Sequence, residues 1–306
     1  MSIQKIGYAC INTELRAQGI QTNRGCIKRT FLEKGTSYVG ELALQNFTDL
    51  LEILRWNVAN DIRFFRVSSD ILPWHSEYNI EDLPQFNDIE SIAASIGEYV
   101  NENDIRLTTH PGPYNVLPSP REDVVNRTIR DLTCHAELFD LLGLSRTRYN
   151  KINIHCNGVY GDKRTALDRF VKNYKRLPES VKSRLTIEND DKASMYNVGD
   201  LLRLYDEVGT PIVFDYHHYL FNTGDINEED SLKLAAMTWG DVTPVVHYSE
   251  SKRLHEYDNK IKPQAHSNLI SKLPETYGID VDVMVEAKSK EQAIMPFIKE
   301  RNALAL

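Results

Sequence analysis

Lys151-Ile-Asn-Ile-His155-Cys-Asn-Gly158 opens a stretch that repeats one pattern twice more, as Leu185-Thr-Ile-Glu188-Asn-Asp190 and as Pro211-Ile-Val-Phe-Asp215-Tyr-His-His218. Each copy is a short β-rich run that ends on a histidine or an acid. Between the copies lie residues 165–177 and 198–208, whose apolar side chains recur at helical spacing. Strand, helix, strand, helix means parallel strands joined by crossovers.

Outward from there the pattern covers the chain. Eight β-rich runs are expected at residues 5–10, 62–68, 105–109, 151–154, 185–187, 211–214, 243–246 and 281–285. Helices are expected at 42–56, 88–101, 123–142, 165–177, 198–208 and 231–238. Eight such units fit one closed (β/α)8 TIM barrel, with a doubly wound open sheet as the competing arrangement. At 306 residues the chain has the length of one such barrel, and no repeat, low-complexity tract or Gly/Ser linker divides it. The expected domain is therefore 1–306. Residues 22–40 read as a long, poorly periodic loop after the first strand. Residues 111–120, with four prolines, read as a rigid surface loop.

The strand ends carry the chemistry. Strand three runs into His110, strand four into His155, strand five into Glu188, strand six into Asp215 with His218 beyond it, strand seven into His247 and strand eight into Glu286. A barrel gathers the C-terminal ends of its strands on one face, where active sites form. One such residue is commonly a loop cap, but six consecutive strand ends of metal-ligand type point to a shared metal site. Mixed histidine and carboxylate ligands without cysteine suit zinc, manganese, iron or cobalt. The donors outnumber the needs of one ion. Glu188 is suited to bridge two ions about 3.5–4 Å apart.

Other features exclude function classes. No apolar run reaches the ~20 residues of a membrane span. Residues 1–8 run straight into strand-like sequence, so no signal peptide is expected. The four cysteines, Cys10, Cys26, Cys134 and Cys156, form no CxxC pair, so reduced thiols in the cytosol are expected. Neither a Walker loop nor a convincing GxGxxG is present, nor a Ser-His-Asp elbow. The formal charge of -8 argues against a polyanion-binding protein. A carboxylate cluster that changes sign on binding cations weakens that objection. His75, His135 and His255 stand alone and read as structural or solvated. His217 is expected to support His218 rather than bind an ion.

At these residues the chain resembles the UV damage endonucleases, relatives of endonuclease IV within the xylose-isomerase-like barrels. The resemblance runs through Gly7-Tyr8 with Asn12, Arg66-Val-Ser-Ser-Asp70, Pro73-Trp74, His110-Pro-Gly, Asn153-Ile-His155 and Ile187-Glu-Asn-Asp-Asp191. It continues through Asp215-Tyr-His-His218, His247-Tyr-Ser249, Ala265-His-Ser267 and Glu286-Ala-Lys288. It implies a cluster of two or three divalent ions, manganese first, with zinc, cobalt or magnesium as alternatives. The implied reaction is cleavage of the DNA phosphodiester immediately 5′ of a UV photoproduct, with abasic sites as a further substrate. It assigns His110, His155 and Glu188 to a first ion, Glu188, Asp215, His247 and Glu286 to a second, and His218 and His266 to a third. Glu188, His218 and His247 take the catalytic roles, and Tyr8, Asn12, Pro113 and Tyr114 approach the lesion.

Three positions depart from the family's usual pattern: Pro113 stands where a glutamine is common, Val245 where a lysine is common, and Gln264 where endonuclease IV has an acid. Val245 removes a lysine that could be modified beside the cluster. The expected partner is double-stranded DNA with UV lesions and no membrane. The expected form is a monomer inside the cell, cytoplasmic or, in a eukaryote, nuclear. The rival readings are an abasic-site endonuclease of the endonuclease IV type and a sugar isomerase or epimerase on the same barrel.

Overall fold

The computed structural model describes residues 2–304; Met1, Ala305 and Leu306 of the expected domain lie outside the described residues. Its elements follow in the order β1 (Ile3–Ala9), α1 (Thr13–Arg16), α2 (Lys28–Ala59), β2 (Phe64–Arg66), α3 (Phe86–Glu102), β3 (Arg106–Thr108), α4 (Glu122–Leu141) and β4 (Ile152–His155). Then come α5 (Lys163–Tyr174), α6 (Glu179–Lys182), β5 (Leu185–Glu188), α7 (Val198–Val208), β6 (Ile212–Asp215) and α8 (Tyr216–Tyr219). The chain ends with α9 (Glu228–Met237), β7 (Val245–Tyr248), α10 (Lys252–Glu256), β8 (Val281–Val285) and α11 (Glu291–Leu304).

All eight strands are parallel and pair in the order β3-β2-β1-β8-β7-β6-β5-β4. A parallel bridge between Thr109 and Ile152 joins the two edges, so the sheet closes into the TIM barrel. Register sets which side chains become neighbours. His155 lies opposite Glu188, and Asp215 opposite His247. At the other end of the barrel, fully buried Arg106 donates to Asp282 at 2.8 Å and to the Thr243 and Tyr149 carbonyls. A buried cation needs such partners. This plug closes the N-terminal face and leaves the other face for chemistry.

Gly7 shows why β1 tolerates no larger residue. Its Cα faces the backbone of Phe64 on β2, and an added Cβ would overlap the Phe64 carbonyl.

The segment after β1 corrects one expectation. Residues 22–40 are not a loop throughout: α2 begins at Lys28, bends at Gly35 (φ 68°) and continues to Ala59. The periodicity is weak there because most side chains before Val39 remain at least partly exposed. The first turn is instead held by Phe31 stacked on Trp74, ring centroids 5.6 Å apart. The proline loop is rigid but less superficial than expected. Asn115 binds Asp131 at 2.7 Å, Val116 N–H donates to Thr128, and Asn173 and Arg169 hold the Leu117 and Pro118 carbonyls. Pro113 and Tyr114 project from it.

Candidate active site

Glu188 ends β5 at the centre of the barrel mouth, 1% exposed. His110 Nε2 approaches its Oε2 at 3.1 Å and His155 Nε2 at 3.8 Å. On the other oxygen, Oε1, His247 Nδ1 lies at 3.1 Å and His218 Nδ1 at 3.3 Å. Glu286 Oε1 is 3.4 Å from His247 Nδ1, and Asp215 Oδ2 is 3.8 Å from His218 Nδ1. Three sets of potential ligands result at the barrel mouth: His110–Glu188–His247, His155–Glu188–His218 and Asp215–His247–Glu286. Glu188 belongs to two of them and so has the position of a bridge. His218 groups with His155 and Glu188. The His266 ring centroid is 6.5 Å from that of His218 and 5.0 Å from that of His217.

Metal ions fit this donor set. His247 Nδ1 and Glu188 are close enough to hydrogen-bond, yet the angle is wrong, and Nδ1 is left without a partner. Asp215 Oδ2 is likewise buried and unpartnered. Such atoms cost free energy unless something satisfies them. Their aim at a common space rather than at each other is what a cation would correct. Electrostatics agree. Burial, with Glu188 and Glu286 nearby, pushes the Asp215 carboxyl up to about 8 against the opposing pull of His218. Burial opposes ionisation of Glu188 too, but the surrounding imidazoles hold it well below the usual carboxylate range. Burial lowers His247 to about 4, so the ring is neutral and ready to ligate.

Several side chains fix these donors without belonging to the expected set. Arg66, at the end of β2, donates to Glu286 at 2.5 Å. Asn153 donates to Glu188 and accepts from Thr186. Asp190 lies 3.1 Å from His155 Nδ1, which makes no hydrogen bond. Lys151, wholly buried at the start of β4, places Nζ 3.2 Å from His247 Nε2. A lysine therefore does stand beside His247, although position 245 is valine. It comes from across the barrel, where spacing along the chain gives no sign of it. His217 is wholly buried with Nε2 on the Gln264 carbonyl.

The expected lesion-facing residues divide. Tyr114 is 69% exposed at the rim, beside exposed Pro113. Tyr8 and Asn12 are each 0% exposed, which corrects their placement. The Tyr8 hydroxyl donates to Asn57 at 2.7 Å and accepts from Asn12 at 2.9 Å. Asn12 also caps α1 by accepting from Leu15 N–H. Both are occupied in the wall behind β1 and present nothing to a duplex in this conformation.

A profile of the UvdE family, described as UV-endonuclease UvdE, matches residues 4–305. The chain belongs to the UvdE family. It is similar to the UV-damage endonuclease of Schizosaccharomyces pombe, 38% identical over 303 residues, which are 95% of this chain and 49% of that protein. The chain thus spans about half the length of that UvdE relative. The crystal structure of SacUVDE superposes with a TM-score of 0.85 at 30% identity, covering 99% of both chains. More distant barrels share the fold alone. Endonuclease IV from Thermus thermophilus gives a TM-score of 0.54 at 13% identity, over 82% of this chain and 94% of that one. The D-psicose 3-epimerase of Clostridium cellulolyticum gives 0.52 at 11%, over 80% and 84%. The UvdE barrel by itself therefore does not separate a nuclease from a sugar epimerase.

Proposed function

We propose that this chain is a metal-dependent endonuclease that nicks duplex DNA immediately 5′ of UV photoproducts. The observation that carries the reading is the ring of histidines and carboxylates around Glu188 at the barrel mouth of a UvdE-family chain. On this reading His110, His155, Glu188, Asp215, His218, His247 and Glu286 hold two or three divalent ions, with His266 at the margin. The family resemblance puts manganese first, with zinc, cobalt or magnesium as alternatives that the mixed imidazole and carboxylate donors also admit. When bound, such ions neutralise phosphate charge and acidify water near neutral pH.

The chain's own groups hold the arrangement. Asn153 and His110 fix the Oε2 oxygen of Glu188, Arg66 holds Glu286, and Lys151 sets the ring of His247. Burial of the carboxylates keeps bulk water from weakening these contacts. His247 and His218 both lie beside Oε1 of Glu188, at 3.1 and 3.3 Å, and these three are the side chains proposed to meet the reacting phosphate. Tyr114, on a loop anchored by Asn115 and Asn173, is proposed to stack against a distorted base step, with Pro113 as an apolar neighbour. Unstacking is easier at damaged sites, which aids selection. The whole of 1–306 acts as one barrel and as a monomer, on DNA inside the cell. No helix among the described residues is long and apolar enough to cross a membrane.

Three duplexes test the substrate: one with a single photoproduct, one with an abasic site and one undamaged. Preferential nicking of the first is expected. Cleavage of the abasic duplex alone would move the chain to the endonuclease IV type of reaction. Epimerisation of a ketose with no nicking would overturn the nuclease reading.

A further inference from the structure

A second group of metal-ligand side chains lies outside the barrel mouth. Cys134 and Glu137 sit three residues apart on α4, the spacing that places side chains on one helix face. His75, on the short turn His75–Glu77 between β2 and α3, faces them. One ligand atom from each lies within 4.8 Å of the others. His75 is 7% exposed and Cys134 5%. Glu137 is more open and closes the group from the solvent side.

The group is held in place from behind. Arg130, one turn before Cys134, donates to the His75 carbonyl at 3.2 Å and to the Tyr78 carbonyl at 2.8 Å. These bonds clamp the turn to α4. Arg130 also reaches Glu137 Oε1 at 3.0 Å and Oε2 at 3.2 Å. A separate observation points to a ligand. His75 Nε2 is buried and lies 3.1 Å from Glu137 Oε2, yet it makes no hydrogen bond. It shows the same misdirected close approach as His247 Nδ1 at the barrel mouth.

We propose that His75, Cys134 and Glu137 form a separate site for a thiophilic divalent cation, zinc by its ligand preference. Imidazole nitrogen, thiolate sulfur and carboxylate oxygen supply three corners of a tetrahedron. His75 and Cys134 line a cavity of about 340 Å³ that has room for water as the fourth ligand. Binding releases the Cys134 thiol proton to solvent. The two ligand anions then offset the ion's charge, and Arg130 remains paired with Glu137. The cavity is also bordered by Asp70, Trp74 and Tyr114. The ion would therefore pin the β2–α3 connection to α4 beside the rim that carries Tyr114. This site does not depend on the nuclease reading.

Cobalt(II) titration of the metal-free protein tests it. The barrel mouth has no thiolate ligand, so a sulfur-to-cobalt charge-transfer band in the near ultraviolet reports the second site alone. The expected result is one such band in the wild type, with an amplitude at saturation that corresponds to one thiolate-bound cobalt per chain, bleached by zinc. Cys134→Ser and His75→Ala should lose it while still binding cobalt at the mouth. Cys26→Ser and Cys156→Ala should keep it. Glu137→Gln changes a partly exposed side chain and should preserve folding while weakening the band's apparent affinity at least ten-fold. No band in the wild type at saturating cobalt would overturn the proposal. So would a band that survives Cys134→Ser, or one unchanged in affinity in Glu137→Gln.

Discussion

At the residue scale the structure turns on Glu188. It is the one carboxylate that both ligand-bearing halves of the barrel mouth reach, through His110 and His247 on one side and His155 and His218 on the other. Glu188→Gln keeps the shape but removes the charge. We expect it to fold, as far-ultraviolet circular dichroism would show, to bind fewer ions and to lose nearly all nicking. Lys151 makes a subtler case. A metal-bound histidine is oriented by the partner of its other nitrogen, and removing such a partner lowers metal affinity on the order of 10–100-fold. Lys151→Met fills similar volume without the amine. Isothermal titration should show weakened metal binding with the fold intact; unchanged affinity would mean that Lys151 only packs. Glu188 and His247 were legible because each closes a short β-rich run of sequence. Lys151 was not, because its contact spans 96 residues of sequence.

Tyr114 tests lesion reading at the same scale. Tyr114→Ala should weaken discrimination between damaged and undamaged duplex by about 1–3 kcal/mol, the range for one base–aromatic contact. Both affinities must be measured at one salt concentration, where the shared phosphate contribution cancels. Equal losses on both duplexes would remove Tyr114 from recognition. The sequence placed Tyr8 and Asn12 in the same role through resemblance alone. Their burial came from hydrogen bonds to Asn57 and to the start of α1, contacts that no local pattern encodes.

At the scale of elements, strand register makes neighbours of distant ligands. Pairing of β4 with β5 sets His155 against Glu188, and pairing of β6 with β7 sets Asp215 against His247. A strand that slips by one residue turns its side chains to the other face. Gly7→Ala probes this from β1. The added methyl would collide with the Phe64 carbonyl, so β1 and β2 must separate. Overpacking of this kind costs about 1–3 kcal/mol or more. A urea midpoint equal to that of the wild type would show that the strands part freely. The eight strands were legible because short β-rich runs end at polar residues. The start of α2 was hidden because Gly35 interrupts it and its early side chains face solvent. The bend has no periodic signal, and the stacking of Phe31 on Trp74 joins segments 43 positions apart.

At the scale of the whole molecule, the barrel separates stability from chemistry. Arg106 and Asp282 plug one end, while the other gathers buried carboxylates that repel one another. Cations bound there should stabilise the folded state. An ion present at about a hundred times its Kd adds about 2.7 kcal/mol per independent site. Chelation should therefore lower the Tm by several degrees, and an unchanged Tm would argue against a metal site in the fold. The net charge of -8 gave little guidance because local grouping of the carboxylates, not their number, decides what the mouth attracts.

The most direct measurement combines substrate and site. Wild type and Glu188→Gln, each assayed for metal content, are given a duplex carrying one photoproduct and labelled at the 5′ end of the damaged strand. The wild type with manganese should cut at the bond immediately 5′ of the lesion, and the variant should leave the strand intact. An uncut damaged strand with the fully metallated wild type, or equal cutting by Glu188→Gln, would contradict a UV-damage nuclease centred on Glu188.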